Sequence, residues 1–170
     1  MRLAEFREGD PVGKFSEALT ALAGKVVIVA TAEEARRRLE SMLEGKRVVA
    51  SRAPILGGLG EAYSREACAA ADIGLTSADF ALADTGSLVF LTESHESRLI
   101  SLLPPIHIAV IERRKILASL DELLSRVPNP SVQSSAMVLI TGPSRTADIE
   151  MRLVRGVHGP GEIVVMIVGT

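Results

Sequence analysis

The sequence has few of the residues that bind transition metals or nucleic-acid bases. It contains one cysteine, Cys68, no tryptophan, one tyrosine and four phenylalanines among 170 residues. One cysteine can form neither an intramolecular disulfide nor the ligand set of an iron–sulfur cluster or a cysteine-rich zinc site. With a formal net charge of −2 as well, the chain has little with which to stack bases or follow a phosphate backbone. We therefore expect no metal held by this chain and no nucleic-acid partner.

Long apolar runs and a secretory leader pattern are also absent. No apolar stretch approaches the roughly 18 to 20 residues that cross a bilayer, and charges alternate in the first ten residues. We expect a cytoplasmic protein with no membrane span. The chain is nevertheless 47% hydrophobic, with a mean hydropathy of +0.28. Strands that are buried on both faces, as in a parallel sheet, would account for this composition.

Short β-branched runs alternate with segments of helical spacing. Strands are predicted at 25–30, 47–50, 73–76, 87–92, 107–111, 137–141 and 162–168, and helices at 31–44, 64–71, 93–103, 118–127 and 148–154. This alternation predicts an α/β fold, a three-layer sandwich with a mostly parallel sheet, formed by residues 1–170 as a single domain. The order strand, helix, strand over 25–50 further predicts that its two strands form a parallel pair.

A polar loop, Thr141–Glu150 (TGPSRTADIE), follows one of these strands and is a candidate ligand-binding segment. Gly142 begins a turn, and Ser144 or Thr146 could cap a following helix, whose first amides would attract an anion. The guanidinium of Arg145 could hold a small carboxylate or a phosphate-bearing ligand. The alternative is an ordinary capped loop with a surface arginine.

Three residues are candidates for acid–base chemistry. His158 lies between glycines in Gly156–Gly161 (GVHGPG), which predicts an exposed loop tip and an imidazole free to exchange protons. Asp148 and Glu150 could orient Arg145 or face a substrate hydroxyl. The structural alternatives are a surface histidine that only forms hydrogen bonds and two carboxylates that stabilise a helix start or pair with Arg145.

A third candidate segment is the turn at Ala83–Ser87 (ADTGS). Thr85 and Ser87 offer hydroxyl groups, and Gly86 permits a close backbone approach. Its structural alternative is a tight turn or a β-bulge. Because ligands of open α/β sheets bind beyond the carboxyl ends of the strands, we expect this turn and the two loops above to converge on one pocket.

Two long segments of the sequence together resemble the LUD-domain family, which includes lactate utilization protein C. They are ADTGSLVFLTESHESRLISLLPPIHIAVI and ITGPSRTADIEMRLVRGVHGPGEIVVMIV. The resemblance implies a fold similar to the glucosamine-6-phosphate isomerase, ribose-5-phosphate isomerase and CoA-transferase group. It also implies a role in oxidising L-lactate to pyruvate with partner proteins, at least one of which carries iron–sulfur clusters.

Other functions remain open at the level of sequence, because one fold serves many chemistries. The main alternative is a stand-alone enzyme, or a binding module, for a phosphorylated sugar, a nucleotide or an acyl-CoA. The residues leave open whether the chain is itself an enzyme.

Overall fold

The computed structural model describes residues 10–92, 96–129, 134–147, 153–155 and 158–169. The strands, in chain order, are β1 (Lys25–Val29), β2 (Val48–Ala50), β3 (Ile73–Ser77), β4 (Phe80–Leu82), β5 (Ser87–Thr92), β6 (Ile106–Glu112), β7 (Ile116–Leu117), β8 (Ala136–Ile140), β9 (Arg145–Ala147), β10 (Leu153–Arg155) and β11 (Glu162–Val168). The helices are α1 (Pro11–Ala21), α2 (Ala32–Leu43), α3 (Arg65–Ala70), α4 (Glu96–Leu102) and α5 (Leu120–Arg126). Among these ranges, no helix is long and apolar enough to cross a membrane.

A five-stranded parallel sheet occupies the centre of the fold, in the order β1-β11-β6-β3-β2. The strands β6 and β11 lie inside the sheet, and each is seven residues long. In β11 every residue after Glu162 is buried. Helices cover both faces, so the predicted α/β fold with a mostly parallel sheet between other layers is confirmed.

The predicted pairing of the first two strands is wrong. Strands β1 and β2 are parallel but lie at opposite edges of the sheet, because β1 pairs with β11 and β2 pairs with β3. Burial explains the order: β1 is largely half-buried or exposed, and β2 has only three residues. The longer strands, which are apolar on both faces, take the central positions.

One face of the parallel sheet packs against α2. Leu39 and Ala35 of this helix contribute to a buried cluster with side chains of the sheet such as Val164 and Met166. The helix begins where the sequence predicts it. The Thr31 side chain accepts a hydrogen bond from the amide of Glu34 and satisfies a free donor of the first turn.

The opposite face packs against α1 and a second sheet, which the sequence analysis did not predict. This second sheet has the order β7-β4-β5-β8 and is mainly antiparallel. Phe15 and Leu19 of α1 lie with Leu88 of β5 and Val165 of β11 in one buried cluster. On the outer side of the second sheet, α5 packs through Leu123.

Helix α4 lies directly against β3 at Gly74. A Cβ atom at this position would lie 1.9 Å from the carbonyl oxygen of Ile100. Because that oxygen belongs to the backbone of α4, no side-chain rotation can relieve the overlap. Gly74 therefore sets the distance between the helix and the sheet.

We predict that Gly74→Ala lowers the free energy of unfolding by about 2 kcal/mol or more, because α4 must move away from β3. Gly57→Ala is the matched control: its nearest contact would be the Pro54 oxygen at 3.4 Å. The control should change the free energy of unfolding by less than about 1 kcal/mol. Urea unfolding measures both, and equal values for the two variants would contradict the packing argument.

His107 is fully buried on the face of β6 that meets the second sheet. A 2.8 Å hydrogen bond joins its Nε2 to Oγ1 of Thr76, and its ring centroid lies 5.9 Å from that of Phe90. Its Nδ1 has no hydrogen-bond partner among the described residues. Burial lowers the pKa of His107 to about 4.

This burial predicts a pH-dependent stability. Between pH 6.5 and 4 the unfolded chain binds a proton at His107 that the folded chain does not bind. The free energy of unfolding therefore keeps its full value above pH 6.5 and falls by about 3 kcal/mol as the pH drops to 4. In urea unfolding at successive pH values, His107→Gln should lose this part of the slope. The same slope in the variant and the parent protein would refute the assignment.

Candidate functional site

Three hydroxyl groups join the turn between β4 and β5 to the end of β8. The Oγ atom of Ser87 lies 2.8 Å from Oγ1 of Thr85 and 2.7 Å from Oγ1 of Thr141. Ser87 is buried, whereas the two threonines are exposed. Each hydroxyl can both donate and accept a hydrogen bond. The direction of the hydrogen bonds along these three hydroxyls can therefore reverse, so that either exposed threonine can donate to a ligand or accept from it.

Two glycines hold this turn and the end of β8 against α1. Gly86 has φ +66°, and a Cβ on it would lie 2.6 Å from the amide nitrogen of Leu19. Gly142 has φ +78°, and a Cβ on it would lie 2.9 Å from Cβ of Leu22. Both positions combine a left-handed backbone with a close contact, so both favour glycine. Gly86 thus permits a close approach to the backbone of α1, and Gly142 a close approach to the residue that follows α1.

The loop after β8 also meets the loop before β11. The amide of Ser144 donates a 2.9 Å hydrogen bond to the carbonyl of Pro160. A Cβ on Gly159 would lie 3.3 Å from Cβ of Ser144. His158 is exposed in this second loop, as the sequence predicts.

These segments lie at the amino ends of β1 and β11, not at the carboxyl ends of the parallel strands. Residues 158–161 precede β11, and Leu22 follows the helix that leads into β1. An ion pair of 2.7 Å between Lys25 and Glu162 marks the same end. The expected location is wrong because the turn at 83–87 and the loop after β8 belong to the second sheet. The rule for parallel strand ends does not apply to them.

The helix predicted over 148–154 is wrong where the structure describes the chain. Arg145–Ala147 forms β9, which pairs antiparallel with Leu153–Arg155 as β10. Thr146 lies opposite Val154 in this ribbon, and β-branched residues favour strands. Because Arg145–Ala147 is a strand, neither Ser144 nor Thr146 is followed by a helical residue in the part of the loop that the structure describes. Asp148 and Glu150 lie outside the described residues.

A carboxyl group with a shifted pKa and three surface clefts lie away from these loops. Burial raises the pKa of Asp79, whose carboxylate accepts a 2.7 Å hydrogen bond from the Leu91 amide. A cleft of about 330 Å³ is lined by Asp10 and Arg113 among others. A second, of about 340 Å³, is lined by residues that include Arg65 and Arg98. A third, of about 400 Å³, is lined by residues that include Lys46 and Gly58–Glu61. None of these three clefts contains a predicted site residue. Within the described ranges, no cluster of three or more histidine, cysteine or acidic side chains is placed to hold a metal ion.

The sequence match to known proteins covers every candidate residue. The family model of the LUD domain matches residues 59–168. The chain belongs to the LUD-domain family. "Lactate utilization protein C" of Halalkalibacterium halodurans is 42% identical over 94 residues, which are 53% of this chain and 41% of that protein. The protein of the same name from Anoxybacillus flavithermus is 38% identical over 103 residues, 61% of this chain and 46% of that protein. The match thus spans less than half the length of these relatives.

A solved structure shows the same fold for this LUD-domain chain. It is the crystal structure of a DUF162 family protein from Deinococcus radiodurans, with a TM-score of 0.72 at 20% sequence identity. The alignment covers 96% of this chain and 99% of the other. The shared fold therefore includes the strands and helices that precede residue 59.

We predict an energetic coupling between Ser87 and Thr141 across the hydroxyl chain. Ser87→Ala should lower the free energy of unfolding by about 1 kcal/mol, because a buried hydroxyl and its hydrogen bonds are lost. After Thr141→Val, the same change should cost about 0.5 kcal/mol less. As a control, Ser125→Ala removes an exposed hydroxyl that donates a 2.8 Å hydrogen bond to the Asp121 carbonyl of its own helix. Additive effects of Ser87→Ala and Thr141→Val would show that the two side chains do not interact.

Proposed function

We propose that this LUD-domain chain is a lactate utilization protein C-like subunit that takes part in oxidising L-lactate to pyruvate. In this proposal it works in the cytoplasm with iron–sulfur partner proteins, which supply the electron acceptor. The observation that supports it is the similarity to proteins named Lactate utilization protein C, at 42% and 38% identity. We further propose that its fold is of the glucosamine-6-phosphate isomerase, ribose-5-phosphate isomerase and CoA-transferase type.

The chemistry of lactate agrees with the residues at the candidate site. Lactate carries a carboxylate beside a carbon that bears a hydroxyl group. We assign Arg145 to the carboxylate, because a guanidinium can donate two parallel hydrogen bonds to its oxygens. This role does not need a helix start, and it is compatible with the position of Arg145 in β9.

The proton-transfer role is assigned to His158. Oxidation of lactate to pyruvate breaks the O–H bond and the C2–H bond. The exposed imidazole would accept the hydroxyl proton, and the C2 hydrogen with two electrons would pass to the acceptor that the partner proteins supply. In the proposal, Asp148 and Glu150 orient Arg145 or face the substrate hydroxyl. In the same proposal, the hydroxyl groups of Thr85 and Ser144 form hydrogen bonds with the polar groups of lactate.

Substitution of Arg145 tests the proposal. In a bacterium that lacks its own lactate utilization protein C gene, the parent chain should restore growth on lactate as the sole carbon source. Arg145→Lys keeps the charge but loses the planar fork, so both Arg145→Lys and Arg145→Ala should reduce this growth strongly. Their thermal unfolding should match that of the parent.

The control is Arg38→Ala, which removes an exposed arginine from α2. It should restore growth fully. Full growth with both Arg145 variants would rule out the ligand role and leave at most a surface ion pair worth ~0 to 1 kcal/mol. Normal growth of the deletion strain without any added gene would count against the proposed function itself.

A further inference from the structure

We propose that the cleft between α3 and α4 binds the phosphate group of a small organic phosphate through Arg65 and Arg98. The cleft has a volume of about 340 Å³ and is lined by Tyr63, Arg65, Arg98, Leu99 and Leu102. That volume falls within the range of small-molecule sites. The proposal concerns a second site, and it is independent of the proposed function.

The floor of this cleft is firmly packed. Cys68 of α3 and Ile100 of α4 are buried in one cluster, against which Tyr63 and Leu99 pack. Helix α4 also lies in backbone contact with Gly74 of β3, and Cys68 of α3 shares its buried cluster with Val49 of β2, so both sides of the cleft rest on the sheet. These packed walls fix the backbone of the residues that line the cleft before a ligand arrives, which lowers the entropic cost of binding.

The charges of the cleft are unbalanced. Arg65 and Arg98 are both exposed, and neither guanidinium forms a hydrogen bond or an ion pair in the part of the chain that the structure describes. By contrast, Arg113, which lines a different cleft, is already paired with Asp10 at 2.7 Å. No carboxylate is among the described residues that line this cleft, so its two guanidinium groups have a net attraction for an anion.

The number of charges favours phosphate over carboxylate. A phosphate monoester carries about −1.5 to −2 charges at pH 7, which two arginines match, whereas a carboxylate carries one. Each guanidinium can donate to two phosphate oxygens, and the Tyr63 hydroxyl offers a further donor. The Leu102 side chain, 40% exposed, provides an apolar surface for the organic part of the ligand.

The test is isothermal titration calorimetry of the full chain with phenyl phosphate, inorganic phosphate and benzoate as probes. We expect one saturable site for phenyl phosphate, with weaker binding of inorganic phosphate and of benzoate. Arg65→Gln and Arg98→Gln should each weaken phenyl phosphate binding about tenfold or more. Arg38→Gln, which removes an exposed arginine from α2, should leave the affinity unchanged.

The apolar contact is tested separately. Leu102→Ser should weaken binding of phenyl phosphate but not that of inorganic phosphate. Equal affinity for phenyl phosphate and inorganic phosphate would overturn the claim that the ligand is an organic phosphate, and tighter binding of benzoate would overturn the choice of phosphate. The absence of saturable binding, or the same loss in Arg38→Gln as in the cleft variants, would overturn the site. Thermal unfolding of each variant separates lost binding from lost folding.

Discussion

Burial of β6 and β11 on both faces is the constraint around which the remaining elements are arranged. Each strand is seven residues long, and apolar side chains point alternately to the two sides of the sheet. One helix, α2, contributes to the cover on one side. The other side needs α1 and the whole second sheet, which together close a cluster reaching from Val12 to Ile167. The candidate loops lie where α1 meets the second sheet, because the end of α1, the start of β5 and the end of β8 reach the same rim.

Much of the secondary structure could be predicted from local sequence signals. Thr31 and Ser64 precede helices and cap them in the structure. The side-chain oxygen of each accepts a hydrogen bond from the backbone amide three residues later in the chain. The strands of the parallel sheet were recognisable from their apolar runs. The runs that form β5 and β8 were also recognisable, but β4 and β7 have only three and two residues, too few for any periodic pattern. A separate second sheet could therefore not be predicted. Helix α1 begins with Asp10 as its cap and Pro11 in its first turn, a local sequence pattern that is typical of a helix start.

The turns of the candidate site could be predicted from the sequence, but its position near the amino ends of β1 and β11 could not. Gly86 and Gly142 mark turns that exist, and their left-handed backbones explain why glycine is favoured there. The link from Ser87 to Thr141 depends on the register of β5 and β8, which brings together residues far apart in the chain. The loop of Arg145 was ambiguous, because Ser, Thr, Asp and Gly favour both helix caps and turns. Only the pairing of β9 with β10 distinguishes the two.

Because β1 and β2 form opposite edges of the parallel sheet, the segment that matches the LUD family is shorter than the segment that forms the complete sheet. The LUD match begins at residue 59, whereas both edge strands come from residues before that point. A fragment cut at the start of the match would leave one side of β11 and one side of β3 without partners along their backbones. Unpaired strand edges of this kind recruit strands from other molecules. The boundary of an autonomous fragment therefore lies before Lys25, however weakly that region resembles the rest of the family.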